Sequence, residues 1–290
     1  MIIRSLLYVP GSNERFVEKA YSRGADAIII DLEDAVAPSM KTAAREALGR
    51  SVPLAAQGGA PVFVRINATP DRLREDAEAA CRAGAFGLYI PKVSSPRELE
   101  EIADFLEPLE RSLKRDPLRF VPLIETPGGV LEAAAIARAP RVLAVSGGGE
   151  DLATSMGAQP APQVLSLPKQ LIHLAAKAAG VLSFGLLRTV ADYKDIDGMR
   201  AAAQEARMFG FDGASCIHPS IVPILNAAFS PSDSEIAWAQ RVIAADEQAT
   251  REGRGAYLVD GQFVDAPIVA RARAVLALAQ DKPTPKTDTE

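Results

Sequence analysis

The sequence predicts a (β/α)₈ barrel followed by a C-terminal extension of helices and a hairpin. Short apolar runs alternate with amphipathic, alanine-rich stretches, and the eighth run ends near Ile217. Eight strand-and-helix pairs over about 250 residues are typical of this barrel. The runs are almost continuously apolar, as expected for parallel strands covered on both faces. A doubly wound open sheet is the alternative, but Pro10-Gly11-Ser12-Asn13 after the first run is not its glycine fingerprint.

Each predicted strand is an apolar run bounded by turn residues. The runs cover residues 6–9, 27–32, 62–66, 86–90, 120–124, 142–146, 181–187 and 213–217. The stretches between them carry helix-start signals. Ser12 or Asn13 can cap a helix from Glu14, and residues 95–98 read Ser-Pro-Arg-Glu, which is a capping box. A later helix is predicted over residues 168–179.

Residues 1–222 are predicted to form the catalytic barrel, and residues 223–290 the extension. The predicted elements of the extension are a helix over 234–250, a hairpin over 257–264 with an Asp-Gly turn, and a helix over 268–279. We expect this segment to act as a lid or a subunit-contact arm. Residues 281–290 are polar with two prolines and are expected to be a disordered tail.

The composition indicates a globular protein with a sizeable core. Hydrophobic residues make up 48% and charged residues 24%, and the net charge of −5 argues against nucleic-acid binding. No run approaches the roughly 20 apolar residues of a membrane span. Residues 1–5 show no signal-peptide pattern, and Cys81 and Cys216 are isolated. We therefore expect a cytoplasmic protein without membrane contact.

Carboxylates follow three of the apolar runs: residues 31–34 read Asp-Leu-Glu-Asp, Glu125 follows the fifth run, and Glu150-Asp151 follow the sixth. The C-terminal ends of barrel strands lie together at the catalytic face, where such acids could converge on Mg²⁺. Glu125 and Asp151 are the predicted ligands, because two carboxylates completed by substrate and water are the usual arrangement. The alternative is that each acid stabilises a helix N-terminus.

Two cations end neighbouring strands. Arg65 suits a carboxylate or a developing oxyanion, and its alternative is a salt bridge to Asp31 or Glu33. Lys92 could bind an anionic substrate, form a Schiff base or remain a solvated rim residue. Glu33, beside Arg65, is a candidate for proton transfer, since a carboxylate with a raised pKa can work near neutral pH.

Glycines and histidines add weaker signals. Gly128 opens a helix, whose N–H groups can bind a carboxylate, and Gly149 belongs to a glycine run that allows close backbone approach. His173 lies within a predicted helix and is interpreted as structural. His218 ends the eighth strand and could act in the site or only hold its loop.

Several motifs occur together in one order along the chain. They are RSLLYVPG at residues 4–11, DLEDAV at 31–36, VRIN at 64–67, IPK at 90–92, IETPG at 124–128, GEDL at 149–152 and IHP at 217–219. In this combination they resemble the citrate lyase β-subunit-like family of the HpcH/HpaI aldolase superfamily. The resemblance covers roughly residues 4 to 275.

The resemblance implies a Mg²⁺-dependent barrel lyase that is usually a homotrimer or a larger assembly of trimers, such as a hexamer. Its members cleave or form carbon–carbon bonds between α-keto acids and thioesters of CoA or an acyl carrier, as in citryl, malyl and citramalyl thioesters. By this resemblance Glu125 and Asp151 hold the metal, and Arg65 faces the keto or hydroxyl oxygen. Asp265 would reach a neighbouring subunit's site as an acid/base group.

Two other functions stay open at this point. One is condensation followed by hydrolysis of the thioester, as malate synthases and thioesterases do. The other is a non-catalytic subunit within a lyase complex.

Overall fold

The computed structural model describes residues 2–280, in which the predicted apolar runs form the strands of a parallel barrel. The barrel strands are β1 (Ser5–Pro10), β2 (Ala27–Asp31), β3 (Val62–Arg65), β4 (Gly87–Ile90), β5 (Arg119–Ile124), β6 (Ala144–Gly147), β7 (Leu182–Phe184) and β8 (Ala214–Cys216). Their order in the sheet is β7-β6-β5-β4-β3-β2-β1-β8. A parallel bridge between Phe184 and Gly213 joins the two ends of the sheet, so the barrel closes at β7 and β8. The predicted fold class is therefore confirmed.

Helices and short 3₁₀ turns connect the strands. The helices of this part are α1 (Glu14–Ala20), α2 (Lys41–Glu46), α3 (Leu48–Ala55), α4 (Pro70–Arg82), α5 (Pro96–Leu113), α6 (Pro127–Leu131), α7 (Ala133–Ala137), α8 (Gly149–Ser155), α9 (Pro162–Ala179), α10 (Ile196–Phe209) and α11 (Val222–Ala228). The 3₁₀ turns are Tyr21–Arg23, Pro38–Met40, Ala56–Gly58 and Pro219–Ile221. Asn13 caps α1 and the capping box at Ser95 and Glu98 starts α5, as their sequences predict.

The predicted start of one helix is wrong. The helix expected from residue 168 begins at Pro162, and Pro168 lies inside it. Pro162 occupies the first turn, where a missing N–H costs no hydrogen bond. The buried positions Leu165, Lys169 and Ile172 recur at helical spacing, so packing of this face carries the helix through Pro168.

Two apolar layers result from the alternation of side chains along each strand. Leu6 of β1 belongs to the layer inside the barrel, together with Phe63 and Tyr89, whose rings meet edge to face with centroids 5.7 Å apart. Leu7 and Val9 belong to the outer layer, which packs against the helices. A filled barrel interior leaves the strand ends as the place for a site.

The chain divides into two compact units, of which the barrel unit comprises Ile3–Phe229. The second unit, described from Ser230 to Gln280, contains α12 (Asp233–Arg251), β9 (Tyr257–Val259), β10 (Gln262–Val264) and α13 (Ala266–Gln280). The predicted hairpin is present, and Asp260 and Gly261 both adopt the positive φ that a tight Asp-Gly turn requires. The predicted tail, residues 281–290, lies outside the described residues. Among residues 2–280 no helix is long and apolar enough to cross a membrane.

Candidate active site

A cavity of about 440 Å³ opens where the barrel strands end. Its wall contains residues at or just after the ends of β2, β3, β5 and β6, where the sequence has its carboxylates, glycines and Arg65. The lining includes Tyr8, Asp31, Asp34, Arg65, Glu125, Gly147, Gly148, Gly149, Glu150, Asp151 and Lys169. The parallel register therefore brings residues far apart in sequence to one rim of the barrel.

Arg65 and Asp31 form the central ion pair of this rim. The two residues are register partners on β3 and β2. Arg65 Nε and Nη2 donate to the two oxygens of Asp31, each at 2.7 Å. The backbone N–H groups of Glu33 and Ala35 also donate to Asp31, at 2.9 and 3.0 Å. With its carboxylate held by four hydrogen bonds, Asp31 fixes the orientation of the Arg65 guanidinium.

The other side of Arg65 faces two more carboxylates. Its Nη1 lies 3.2 Å from Oε2 of Glu33 and 3.2 Å from Oδ2 of Asp34. Glu33 is buried, whereas the Asp34 side chain is 59% exposed. Burial raises the pKa of Glu33 to about 7 although Arg65 opposes the shift. Both arrangements expected for Arg65, a salt bridge and a place at the barrel mouth, are present together.

Glu125 is buried directly after β5. Its Oε2 accepts the backbone N–H of Lys92 at 2.8 Å, and Lys92 adopts a left-handed conformation with φ 57°. Burial raises the pKa of Glu125 to about 8, and repulsion from Asp151 adds to the shift. Thr126, not Glu125, caps the following helix by accepting the N–H of Gly129 at 3.1 Å. The Glu125 carboxylate is therefore free of the capping role that was its alternative.

Gly148 lies directly against the Glu125 carboxylate. A Cβ at position 148 would stand 2.7 Å from Cγ and 2.8 Å from Cδ of Glu125, and would overlap its Oε1. Any side chain at this position would displace the carboxylate, so the glycine is required here. Gly149, the next residue, also lies in the cavity wall.

Asp151 lies in the first turn of α8, and its side chain is 42% exposed. Lys92 Nζ stands between two acids, 3.8 Å from Oε1 of Glu33 and 4.0 Å from Oδ1 of Asp151. Partial burial lowers the pKa of Lys92, but these carboxylates outweigh it and the net shift is upward. A lysine held protonated in this way is a poor Schiff-base nucleophile and a good partner for an anion.

The donor set of Glu125 and Asp151 fits a hard divalent cation. Within the described chain, Oε1 of Glu125 and both oxygens of Asp151 accept no hydrogen bond, so oxygen donors remain available. No group of three or more His, Cys, Asp or Glu side chains suited to a metal occurs in residues 2–280. Mg²⁺ commonly takes only one or two carboxylates and completes its shell with water and substrate, so two suffice.

Gly128, His218 and Arg188 are not among the residues that line this cavity. Gly128 is exposed. His218 stacks on Tyr193 with ring centroids 5.1 Å apart, and Arg188 pairs with Asp192 at 2.8 Å. Asp265 belongs to the second unit, where it starts α13. The roles predicted for Gly128 and Asp265 stay predictions.

Tyr8 and Lys169 also line the cavity, and neither is predicted from the sequence to be a site residue. Tyr8 follows Leu6 by two residues and so occupies an inward-facing position near the end of β1, which strand alternation could have revealed. Lys169 is buried, and its Nζ donates to the backbone oxygens of Leu186 and Arg188 at 2.8 and 2.9 Å. The sequence feature that could have identified Lys169 is its position on the buried face of α9.

Glu150 has a structural partner in the loop after β7. It accepts a hydrogen bond from the hydroxyl of Thr189, which also accepts the N–H of Ala191 at 3.2 Å. The loop after β7 is thus tied to the start of α8. Lys169 also donates hydrogen bonds to this loop, and burial lowers the pKa of Lys169 to about 8.

Residues 4–219 match the model of the HpcH/HpaI aldolase/citrate lyase family. The chain belongs to this family. Among similar members, a (3S)-malyl-CoA thioesterase of Cereibacter sphaeroides is 41% identical over 96% of this chain and 94% of its own length. The mitochondrial citramalyl-CoA lyase of Homo sapiens is 32% identical over 95% of this chain and 85% of its own length.

A solved structure of the family has the same fold. The protein CitE from Mycobacterium tuberculosis, in complex with magnesium, acetoacetate and coenzyme A, superposes with a TM-score of 0.78. It is 32% identical and covers 97% of this chain and 99% of its own. The family membership predicted from the motifs is therefore confirmed.

The raised pKa values predict a pH-dependent stability in the absence of metal. The folded-state pKa is about 7 for Glu33 and about 8 for Glu125, against an ordinary value of 4.5. The folded chain thus keeps protons that the unfolded chain releases, so the contribution is complete below pH 4.5 and is lost as pH rises through 7 and 8. The loss is at most about 1.4 kcal/mol per pH unit for each group.

Glu125→Gln should reduce this decline most between about pH 7 and 8, where Glu125 of the folded wild type is still at least half protonated and Glu33 is at most half protonated. Urea unfolding in a chelating buffer measures the slope. Glu101→Gln, at a 61% exposed glutamate, is the matched control and should keep the wild-type slope. Equal slopes for wild type and Glu125→Gln would contradict the prediction.

Proposed function

We propose that this protein is a Mg²⁺-dependent carbon–carbon lyase that cleaves a 3-hydroxy-acyl thioester into an α-keto acid and an acyl thioester. The observation that carries the proposal is the pair Glu125 and Asp151 at one rim with the cations Arg65 and Lys92. Oxygen donors for a divalent cation thus lie beside groups that bind anions. The citramalyl-CoA lyase relative and the CitE complex with magnesium and coenzyme A support it.

Glu33 is the proposed base of the cleavage. Its pKa of about 7 suits it to accept the proton of the substrate hydroxyl near neutral pH. Loss of that proton lets the carbon–carbon bond break, which leaves the α-keto acid and a thioester enolate. A Mg²⁺ ion held by Glu125 and Asp151 would supply Lewis-acid polarisation of substrate oxygens.

Arg65, Lys92 and Gly149 are the proposed substrate-binding groups. Arg65 and Lys92 place positive charge beside the oxygen on which negative charge develops. Gly149 opens α8, where the backbone N–H groups of the first turn point out of the helix and can orient a carboxylate. We also propose that the backbone N–H of Gly128 donates a hydrogen bond to a substrate carboxylate.

Asp265 is proposed to donate its own proton to the enolate carbon in the site of a neighbouring subunit, and solvent then reprotonates Asp265 while Glu33 releases the proton it took from the substrate hydroxyl. Its carboxylate makes no hydrogen bond or ion pair within residues 2–280, although it is partly buried. The proposal treats the segment after residue 222 as a lid or subunit-contact arm in a homotrimer or hexamer. An unpaired acid on such an arm is free to act on another copy of the chain.

The proposal extends to the thioester carrier and the location. Coenzyme A is the favoured carrier, because the CoA-ester relatives and the coenzyme A complex of CitE support it, and an acyl-carrier protein is the alternative. A cytoplasmic location is proposed as well. Cys81 and Cys216 are free, buried thiols, which is the usual state in a reducing compartment.

Thioester hydrolysis is a second candidate function. The 41% identical relative is a (3S)-malyl-CoA thioesterase, and it matches nearly the whole chain. Hydrolysis would use the same metal ligands and anion-binding groups but direct a water to the thioester carbonyl. The two functions differ in which bond of the substrate breaks.

Glu125→Gln and Asp151→Asn should each weaken Mg²⁺ binding by more than about 100-fold and remove Mg²⁺-dependent turnover, because each deletes an anionic oxygen ligand. Calorimetric titration with Mg²⁺ and turnover assays measure the effects. Glu150→Gln is the matched control, since Glu150 bonds to Thr189, and it should keep Mg²⁺ affinity within about tenfold. Retained turnover in both ligand variants would remove the metal assignment.

A product assay decides between the two candidate functions. Purified protein with Mg²⁺ should convert malyl-, citramalyl- or citryl-CoA to an α-keto acid and an acyl-CoA, with no free CoA. Release of free CoA together with the intact hydroxy acid would indicate the thioesterase instead. Absence of both products and of Mg²⁺ binding would favour a non-catalytic subunit.

Mixed oligomers test the placement of Asp265. Glu125→Gln and Asp265→Asn homomers should each be inactive, and co-expression of the two should restore a fraction of wild-type turnover. Restoration is expected because one mixed site then combines an intact Glu125 with an intact Asp265 from another chain. Asp260→Asn, at the exposed hairpin turn, is the control and should be active alone. No restoration in verified mixed oligomers would contradict a shared site.

A further inference from the structure

Arg65 has little capacity left to bind a substrate oxygen. A guanidinium carries five N–H groups. Three of those of Arg65 donate to Asp31 and Asp34, and Nη1 also lies 3.2 Å from Oε2 of Glu33. The guanidinium supplies positive charge, but its donors point mainly at these acids. A substrate oxygen seated beside it therefore needs a second donor.

Tyr8 presents such a donor directly beneath Arg65. The Arg65 Cζ lies 4.9 Å from the centroid of the Tyr8 ring, and both side chains line the cavity. Within residues 2–280 the Tyr8 hydroxyl has no hydrogen-bond partner, and it is accessible to solvent. The hydroxyl thus opens on the cavity with its hydrogen bond unused.

The neighbouring Tyr89 has a hydroxyl that is closed off from solvent, and it serves as a comparison for the Tyr8 hydroxyl. Its ring meets Tyr8 edge to face, with centroids 6.0 Å apart. The Tyr89 hydroxyl is fully buried and lacks a partner. The two tyrosines therefore differ in access to the cavity and not in their chemistry.

The charges around Tyr8 keep its hydroxyl protonated. Burial raises its pKa, and the neighbouring acids Asp31, Glu125 and Glu33 raise it further, while Arg65 opposes them. A neutral O–H can donate to an oxygen anion without adding another negative charge to this acid-rich rim. This favours a donor role over a base role.

We infer that the Tyr8 hydroxyl binds the substrate, donating a hydrogen bond to a carbonyl or carboxylate oxygen of the α-keto acid seated beside Arg65. The inference deepens the proposed lyase function and rests on it. The alternative is that Tyr8 serves only as a flat surface on which the guanidinium packs. Phenylalanine would fill that second role equally well.

Tyr8→Phe and Tyr89→Phe form a matched pair, because each removes one hydroxyl and keeps its ring. Calorimetric titration with pyruvate in the presence of Mg²⁺ reads binding without turnover. Tyr8→Phe should bind pyruvate roughly tenfold more weakly, as expected for loss of a hydrogen bond to a charged or polarised oxygen. Its Mg²⁺ affinity and Tm should stay at the wild-type values.

Tyr89→Phe should bind pyruvate as the wild type does, with an equal or higher Tm, since it removes an unsatisfied buried hydroxyl. In turnover assays Tyr8→Phe should lower kcat/KM by at least the factor seen in binding. Equal pyruvate affinity in wild type and Tyr8→Phe, or no pyruvate binding by the wild type, overturns the inference. Failure of the lyase function shows separately, as a wild type that binds pyruvate but cleaves no thioester.

Discussion

The ion pair between Asp31 and Arg65 organises the rim of the barrel. Register pairing of β2 with β3 places the two residues side by side, and four hydrogen bonds hold the Asp31 carboxylate. Burying a guanidinium is favourable only when such partners satisfy it. Once Arg65 is fixed, it stands above the Tyr8 ring and against Glu33 and Asp34, so the positions of these groups follow from one pair.

Negative charge exceeds positive charge at this rim, and the imbalance gives the site its chemistry. Glu33, Glu125 and Asp151 face Arg65 and Lys92, and the first two acids are buried. Their raised pKa values express the cost of ionising carboxylates in that setting. A divalent cation offsets this cost. Because Gly148 has no side chain, the Glu125 carboxylate has the space that it needs to bind such a cation. The charge imbalance at the rim and the space beside the Glu125 carboxylate therefore both favour a divalent cation at this site.

Strand ends were the most predictable part of the site. Arg65, Glu125, Gly149 and Asp151 follow apolar runs, and the barrel rule alone brings them to one rim. Helix boundaries were less predictable, as α9 shows: Pro168 looked like a start, but the buried face from Leu165 onward carries the helix through it. The tendency of proline to start a helix competes there with packing of the buried face of α9. Packing determines the boundary because it involves more buried surface.

By itself the sequence determined the eight-strand alternation, the family motifs and the carboxylates that end the strands, because these depend on local order along the chain. The division of the Arg65 donors, the tyrosine hydroxyl that reaches the cavity and the hydrogen bond between Thr189 and Glu150 all depend on the folded chain. These depend on which side chains meet across strands and loops distant in sequence. Burial and electrostatic shifts arise from that meeting, so no single segment encodes them.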